Sequence, residues 1–112
     1  KTGNGRFEFE GGYYEGEFKD GKFDGRGVYY FSDSGKIYDG EFKENNMDGK
    51  GLMVWPDQSR YEGDFKMGKI EGHGNKEFAN GNRYVGMWKN DQQHGSGVWY
   101  SIKDQTKRQG NW

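Results

Sequence analysis

The feature that most constrains this chain is an internal repeat of 23 or 24 residues. A tyrosine returns at this step, a glycine follows two residues later, and an aromatic ring follows two residues after the glycine. The tyrosines are Tyr14, Tyr38, Tyr61 and Tyr84, the glycines are Gly16, Gly40, Gly63 and Gly86, and the rings are Phe18, Phe42, Phe65 and Trp88. A fixed period of this length predicts a stacked array in which each unit contacts only its neighbours.

The period divides the chain into four full repeats and two partial ones. The full repeats are 14–37, 38–60, 61–83 and 84–107, and the half repeats are 1–12 and 108–112. In the last half repeat Arg108 takes the place of the tyrosine, whereas Gly110 and Trp112 keep the glycine and the ring. Because both ends fall within a repeat, we expect the chain to be a fragment of a longer array or of a larger protein.

The apolar content of the chain is mostly aromatic. Its 112 residues include 8 Tyr, 8 Phe and 4 Trp, although only 29% of all residues are hydrophobic. Each aromatic ring buries roughly 150–250 Å², so rings at fixed spacing can hold together a thin structure without a thick core. The net charge of -1 argues against nucleic-acid binding driven by overall charge.

The absence of cysteine excludes disulfide bonds, cysteine-ligated zinc and a cysteine nucleophile. It also favours an intracellular over a secreted setting. No apolar run approaches the length of a membrane span.

Each repeat predicts two short strands and no helix, because 21 glycines leave no room for a long helix. In the first repeat, Tyr14–Lys19 is a strand, 20–25 is a polar loop, and Gly27–Phe31 is a second strand. The same order continues to a turn at 104–105. We therefore predict an all-β fold: a single-layer, elongated antiparallel β-meander of tandem hairpins, forming an open solenoid-like ribbon.

The spacing also suggests how the two strands of a hairpin pair. We predict that Tyr14 lies opposite Phe31, so that Gly16 faces Tyr29. The same offset pairs Gly40 with Met53, Gly63 with Lys76, and Gly86 with Trp99. A glycine between two aromatic residues leaves room for a ring from the adjacent strand.

This pairing gives the recurring residues structural roles. We interpret Gly16, Gly40, Gly63 and Gly86 as packing glycines. The predicted aromatic ladder consists of Tyr14, Phe18, Tyr38, Phe42, Tyr61, Phe65, Tyr84 and Trp88. A second glycine set is expected to supply positive φ angles where the polar loop re-enters the strand: Gly25, Gly49, Gly72 and Gly95.

These motifs resemble the MORN (membrane occupation and recognition nexus) repeat family. Its pattern is Tyr-x-Gly-x-(Trp/Phe), a polar loop, Gly-x-Gly, a short strand and a turn. Here the pattern runs from Tyr14-Glu-Gly16-Glu-Phe18 to Tyr84-Val-Gly86-Met-Trp88 and covers about residues 3–112. Asn45 and Asp91 depart from it by replacing a loop glycine, and Gln58 replaces a turn glycine, which puts the regularity of those turns in question.

The resemblance implies a non-catalytic scaffold without cofactors. Such repeats occur in cytoskeletal and ciliary scaffolds, in proteins that bridge membranes and beside catalytic domains such as lipid kinases. It also implies a cytoplasmic protein associated with the cytoskeleton or a membrane. The partners expected from the family are proteins, a second copy of the same chain, or acidic phospholipids (phosphoinositides).

The residues themselves give no sign of catalysis. His73 stands where Arg26 and Lys50 stand in other repeats, and we interpret both His73 and His94 as loop residues that form no metal site. Gly-x-Gly before a strand is not a phosphate-binding loop, which needs a following helix. No serine has a defensible histidine and acid arrangement, so we predict no enzyme activity.

Acidic residues and lysines occupy different parts of the predicted hairpins. The first strands carry an acidic stripe of Glu15, Glu17, Asp39, Glu41, Glu62 and Asp64. Lysines concentrate in the predicted loops, where nearby acids largely cancel their charge. Lipid binding through these lysines is therefore the weaker alternative.

The second strands carry apolar residues on the side opposite the ladder. We predict a partner-binding strip of Val28, Tyr30, Leu52, Val54, Val98 and Tyr100, interrupted in the third repeat by Asn75 and Glu77. The occupant would be an amphipathic segment of a protein partner or a second copy. Neighbouring side chains and loops could instead cover the strip. A third possibility is an aromatic-repeat module that binds carbohydrate or choline.

Overall fold

The structure is a computed structural model that describes residues 3–102 and 106–111, with the side chain of Thr106 excepted. These residues form one open antiparallel sheet of ten strands, in which sheet order is chain order. The strands are β1 (Gly3–Phe9), β2 (Gly12–Lys19), β3 (Lys22–Phe31), β4 (Ile37–Lys43), β5 (Asn46–Val54), β6 (Arg60–Lys66), β7 (Lys69–Glu77), β8 (Arg83–Lys89), β9 (Gln92–Ser101) and β10 (Thr106–Asn111). No helix occurs within the described ranges, and the predicted all-β meander is confirmed.

The sheet is a ribbon about 50 Å long, 24 Å wide and 17 Å thick. The strand pairs β2–β3, β4–β5, β6–β7 and β8–β9 each overlap one predicted full repeat, with the first strand beginning one or two residues before it. The predicted turn at 104–105 and the ring of Trp112 lie outside the described residues.

A continuous row of glycines crosses the ribbon at its centre. Every strand contributes one glycine, and each lies directly opposite the glycine of the next strand. The row is Gly5, Gly16, Gly27, Gly40, Gly51, Gly63, Gly74, Gly86, Gly97 and Gly110. It leaves a channel without side chains along the long axis of the sheet.

The four ladder tyrosines fill this channel. A Cβ on Gly27 would lie 2.5 Å from the ring of Tyr14, and a Cβ on Gly51 would lie 2.3 Å from the ring of Tyr38. The same contact recurs between Gly74 and Tyr61, and between Gly97 and Tyr84. All four tyrosine side chains are fully buried. The ring therefore comes from the adjacent strand, and it covers the second glycine of Gly-x-Gly.

The buried rings touch one another edge to face along the ribbon. Tyr14 contacts Phe18 and Phe42 with ring centroids 5.2 and 5.0 Å apart, and Tyr38 contacts Phe42 and Phe65 at 5.1 and 4.8 Å. The series continues through Tyr61, Trp88 and Tyr84. Edge-to-face contacts at these distances are the favoured geometry for aromatic pairs. One chain of eight rings thus joins all four repeats.

The predicted strand register is wrong by two residues. Tyr14 lies opposite Tyr29 instead of Phe31, and Gly16 lies opposite Gly27 instead of Tyr29. Later packing glycines likewise face Gly51, Gly74 and Gly97 instead of Met53, Lys76 and Trp99. Each partner residue on the second strand lies two positions earlier in the chain than predicted. Nearer the turn, extra residues of that strand form a bulge. An even shift keeps each side chain on its predicted face.

The predicted polar loop at 20–25 is also wrong in extent. The turn consists of Asp20 and Gly21 alone, with φ of 52° and 79°, and β3 begins at Lys22. A two-residue turn with positive φ at both positions matches the twist of an antiparallel pair. The bulge that follows contains Gly25 at φ 97°, and its counterparts also have positive φ, as predicted.

Three of the six carboxylates in the acidic stripe accept hydrogen bonds from these bulges. The Glu17 carboxylate accepts the Arg26 backbone N–H at 3.1 Å, and Glu41 accepts that of Lys50 at 2.7 Å. Asp64 accepts the His73 N–H at 3.2 Å. Desolvation raises the pKa of Asp64, but its bonds from Lys50 and His73 more than offset this and lower the pKa below its usual value. These carboxylates are structural acceptors as well as surface charges.

The turns that lack glycine keep the same geometry. Asn45 and Asp91 adopt φ of 73° and 66°, close to Gly21 and Gly68 in the other hairpins. Each also bonds the preceding repeat: the Phe23 N–H donates to Asn45 Oδ1 at 2.8 Å, and the Ile70 N–H donates to Asp91 Oδ1 at 2.8 Å. The two departures from the repeat pattern therefore connect neighbouring repeats.

Candidate functional site

The ribbon has two unlike faces. The aromatic face carries the ladder and the glycine row. The opposite face carries the alternate residues of every strand, and no second layer formed by residues 3–102 and 106–111 covers it. Its residues form rows across the strands, because residues directly opposite each other in an antiparallel pair point to the same side.

The opposite face contains one contiguous apolar patch on β2–β5. Tyr13, Tyr30, Ile37 and Val54 lie opposite one another in a single row. Val28 and Leu52 extend the patch by one pleat, with Asp39 between them. Ile37 is 38% exposed, and the other members are partly exposed. We call these six residues the apolar patch: Tyr13, Val28, Tyr30, Ile37, Leu52 and Val54.

Stacking fixes one end of the patch. The rings of Tyr13 and Tyr30 stack with centroids 5.5 Å apart, and the Arg6 guanidinium lies 4.2 Å from the centre of the Tyr13 ring. Because the Tyr13 ring already contacts both Tyr30 and Arg6, it loses little further conformational freedom when a partner binds. This favours a preformed binding surface.

The structure divides the predicted partner-binding strip in two. Val28, Tyr30, Leu52 and Val54 belong to the apolar patch. Val98 and Tyr100 lie at the far end, where Val98 faces Val85 and the Arg83 guanidinium lies 4.9 Å from the centre of the Tyr100 ring. The polar strands β6 and β7 separate the two groups.

Sequence reasoning missed Tyr13 and Ile37. Each immediately precedes a ladder tyrosine, so simple strand alternation places it on the opposite face. Both residues lie outside the repeat that begins at the following tyrosine, and this concealed the signal.

A polar pocket borders the apolar patch at Leu52. It has a volume of about 200 Å³ and is lined by Leu52, Arg60, Glu62, Asn75, Glu77 and Arg83. Glu62 lies between Leu52 and Asn75 in one row across the sheet. Arg60 and Glu77 form an ion pair of 3.8 Å. The apolar patch and the polar pocket thus form one surface over β2–β8.

Two acceptors in the polar pocket have no partner among the residues that the structure describes. The Asn75 side-chain oxygen is buried and accepts no hydrogen bond. Within residues 3–102 and 106–111, no cation lies within ion-pair distance of Glu62. The other acids on this face are engaged, since Glu15 pairs with Arg6, Asp39 with Arg26, and Asp64 with Lys50. Glu62 is exposed, but a buried polar group without a partner, such as the Asn75 oxygen, is rare in native structures.

The repeats of this chain match the model of a known protein family. The MORN repeat model matches four consecutive segments, residues 14–36, 38–60, 61–83 and 84–104. The chain belongs to the MORN repeat family. MORN repeats are generally non-catalytic modules, and the fold is consistent with a repeat scaffold. A search of the curated proteins finds no match to the chain.

The hairpin tips form one edge of the MORN ribbon. Lys19 lies opposite Lys22, and Lys66 lies opposite Lys69. Met67, at the tip between the second pair, is 65% exposed. Acids line the same edge: a cavity of about 590 Å³ between two tips contains Asp24, Glu41 and Asp48 beside three lysines. The edge is therefore mixed in charge.

On the aromatic face of the MORN ribbon, Lys76 lies among the rings. The Lys76 ammonium lies 4.5 Å from the centre of the Trp55 ring and 5.1 Å from that of Phe78. Desolvation lowers the pKa of Lys76. Lys76 stands where the other repeats carry Tyr29, Met53 or Trp99.

The predicted loop histidines lie in strands β7 and β9, and both are exposed. In the described part of the chain, no three His, Asp or Glu side chains converge where a metal ion could bind. Nor do these residues include a helix long and apolar enough to cross a bilayer.

Proposed function

We propose that this chain is a non-catalytic MORN scaffold that binds a protein partner through the apolar patch. The observation that carries the proposal is the contiguity of Tyr13, Tyr30, Ile37 and Val54 on four adjacent strands of an uncovered face. Contiguous apolar surface of this kind is typical of interaction sites. The setting proposed for the chain is cytoplasmic, in an assembly on the cytoskeleton or beside a membrane.

A selection of peptides tests this proposal without knowledge of the natural partner. The full chain is immobilised, and a phage library of random 16-residue peptides is selected against it. We expect selected peptides to bind the wild-type chain and to lose at least about tenfold in affinity for Ile37→Asp, since a charge would enter the apolar interface.

Met67→Asp is the matched control, because it places the same charge on an exposed apolar residue at the hairpin edge. Its affinity for the selected peptides should equal that of the wild type. Circular dichroism confirms that both variants keep the fold. Peptides that bind Ile37→Asp as tightly as wild type would remove the apolar patch as the binding surface.

A second candidate is binding to acidic phospholipids at the hairpin edge. The observation that favours it is the exposed Met67 side chain between Lys66 and Lys69, an apolar tip flanked by cations. Sedimentation with phosphatidylcholine vesicles, with and without phosphatidylserine, tests it. Binding that needs phosphatidylserine, fades with salt and is lost in Met67→Asp would support this function; salt-insensitive or absent binding would contradict it.

A further inference from the structure

We infer that the partner is an amphipathic α-helix lying along the ribbon, with a lysine or arginine that enters the polar pocket. This inference rests on the proposed function, because it specifies what covers the apolar patch. Three properties of the surface carry it: the spacing of its apolar side chains, its continuity with the polar pocket, and the two acceptors there without partners.

The long direction of the apolar patch runs across the strands. Tyr13, Tyr30, Ile37 and Val54 come from four neighbouring strands, whereas each strand adds at most two patch residues along its own direction. Neighbouring strands are about 4.8 Å apart, so the row presents one apolar side chain every 4.8 Å or so, over about 14 Å.

This spacing fits a helix better than an extended segment. One helical turn rises about 5.4 Å, so a stripe at i, i+3/i+4, i+7 and i+11 supplies one apolar side chain to each of the four strands over about three turns. Alternate residues of a β-strand are about 6.6 Å apart, and a polyproline turn rises about 9 Å. Either of these loses register with the row by its second or third contact.

The polar pocket favours a positive charge on the partner residue that follows the apolar stripe of the helix. Arg60 is paired with Glu77, and the Arg83 guanidinium lies over Tyr100, so both pocket cations are engaged. Glu62 and the Asn75 oxygen are the acceptors that remain. The Asn75 oxygen is buried and Glu62 is exposed, and one ammonium or guanidinium group can bond to both at once.

The distance along the ribbon places that residue in the helix. Asn75 lies on β7, two strands beyond Leu52 on β5, which is about 10 Å. A basic residue one to two turns after the last apolar residue reaches the pocket, since its side chain spans part of the distance. The partner motif is therefore three to four apolar residues at helical spacing, followed by lysine or arginine.

Designed peptides test the inference directly. The probe is a fluorescent 20-residue alanine-based helix with leucines at helical spacing and one arginine in the predicted place. Two peptides of the same composition serve for comparison, one with leucines at alternate positions and one with a central proline. Fluorescence anisotropy measures binding to the full chain, and we expect only the helical peptide to bind.

Charge selection is measured with a double-mutant cycle. Glu62→Gln in the chain and arginine→glutamine in the peptide should each lower the affinity about tenfold, the scale of a hydrogen bond to a charged group. The two changes together should cost little more than either alone. Glu44→Gln, which removes an exposed charge at a hairpin tip, should have no effect.

The outcomes separate this inference from the proposed function. Equal binding of the alternating or proline peptide, additive effects in the cycle, or an Ile37-dependent dimer in light scattering would overturn the helical partner. Failure of all designed peptides, with Ile37-sensitive binding in the phage selection, would overturn the inference and leave the function standing. Insensitivity to Ile37→Asp in both experiments would overturn both.

Discussion

At the scale of single residues, the buried tyrosine hydroxyls of the aromatic face all have hydrogen-bond acceptors. Each ladder tyrosine buries its hydroxyl and donates to the backbone carbonyl three residues later: Tyr14 to Glu17, Tyr38 to Glu41, Tyr61 to Asp64, and Tyr84 to Met87. The bonds are 2.7 to 3.2 Å long. Phenylalanine would leave these acceptors without the bond, which explains why tyrosine lies over the glycine row and phenylalanine lies beside it.

The glycines under the rings are expected to be intolerant of even a methyl group. In Gly51→Ala the new Cβ would lie 2.3 Å from the Tyr38 ring, so ring or backbone must shift. We expect the free energy of unfolding to fall by about 1–3 kcal/mol or more, the usual cost of overpacking. Urea denaturation measures it.

Gly11→Ala provides the control for that substitution. Its Cβ would meet only ordinary contacts at 3.5 Å with Phe9. We expect a change within about 0.5 kcal/mol. Equal stability of Gly51→Ala and Gly11→Ala would contradict the packing of Tyr38 over the glycine row.

At the scale of the hairpin, the bulge is what sequence reasoning could not predict. Alternation located both strands and both faces, because the side-chain period of a strand is two residues. The register needed the true turn, and residues 20–25 are as polar and glycine-rich as a loop would be. Only the folded hairpin shows that Glu17 caps a bulge at Arg26 and that Asp20 and Gly21 alone form the turn.

Asn45 tests how the hairpins are joined. Asn45→Gly keeps a residue suited to φ 73° but removes the acceptor of the Phe23 N–H. We expect a loss of about 0.5–1.5 kcal/mol in the free energy of unfolding, and faster amide hydrogen exchange at Phe23. The Met47 amide, whose neighbouring turn carries Gly68, is the internal comparison. Unchanged exchange at Phe23 would show that this bond does not connect the repeats.

At the scale of the whole molecule, a one-layer sheet lets the two faces serve different purposes. The aromatic face supplies the core, so the opposite face is free to vary between repeats. This explains why the repeat pattern was sufficient to predict the ladder sequence but not the outline of the candidate site. The apolar patch combines residues of β2 to β5, and its boundary at β6 depends on cross-strand neighbours that no single repeat reveals.

The buried tyrosines also make the fold sensitive to alkali. Desolvation, with Glu17 and Asp24 nearby, raises the pKa of Tyr14 to about 12, and desolvation likewise raises the pKa of Tyr38, Tyr61 and Tyr84. An unfolded tyrosine has a pKa of about 10. The unfolded chain therefore loses protons first, and stability that is complete below pH ~10 is lost as the pH rises towards 12.

Urea denaturation between pH 8 and 11.5 measures this loss. We expect the midpoint to be constant up to about pH 9.5 and then to fall steeply. Tyr61→Phe, which has one fewer such group, should show a shallower fall. A midpoint independent of pH up to 11.5 would contradict burial of the tyrosine hydroxyls.

The central claim is that tyrosine rings cover a continuous row of paired glycines, and NMR of a glycine-labelled chain tests it most directly. The account predicts strong Hα–Hα contacts between Gly16 and Gly27, Gly40 and Gly51, Gly63 and Gly74, and Gly86 and Gly97. It also predicts ring-current shifts far upfield for the Hα protons of Gly27, Gly51, Gly74 and Gly97. Contacts from Gly16 to Tyr29 instead, with ordinary glycine shifts, would contradict the register and the core together.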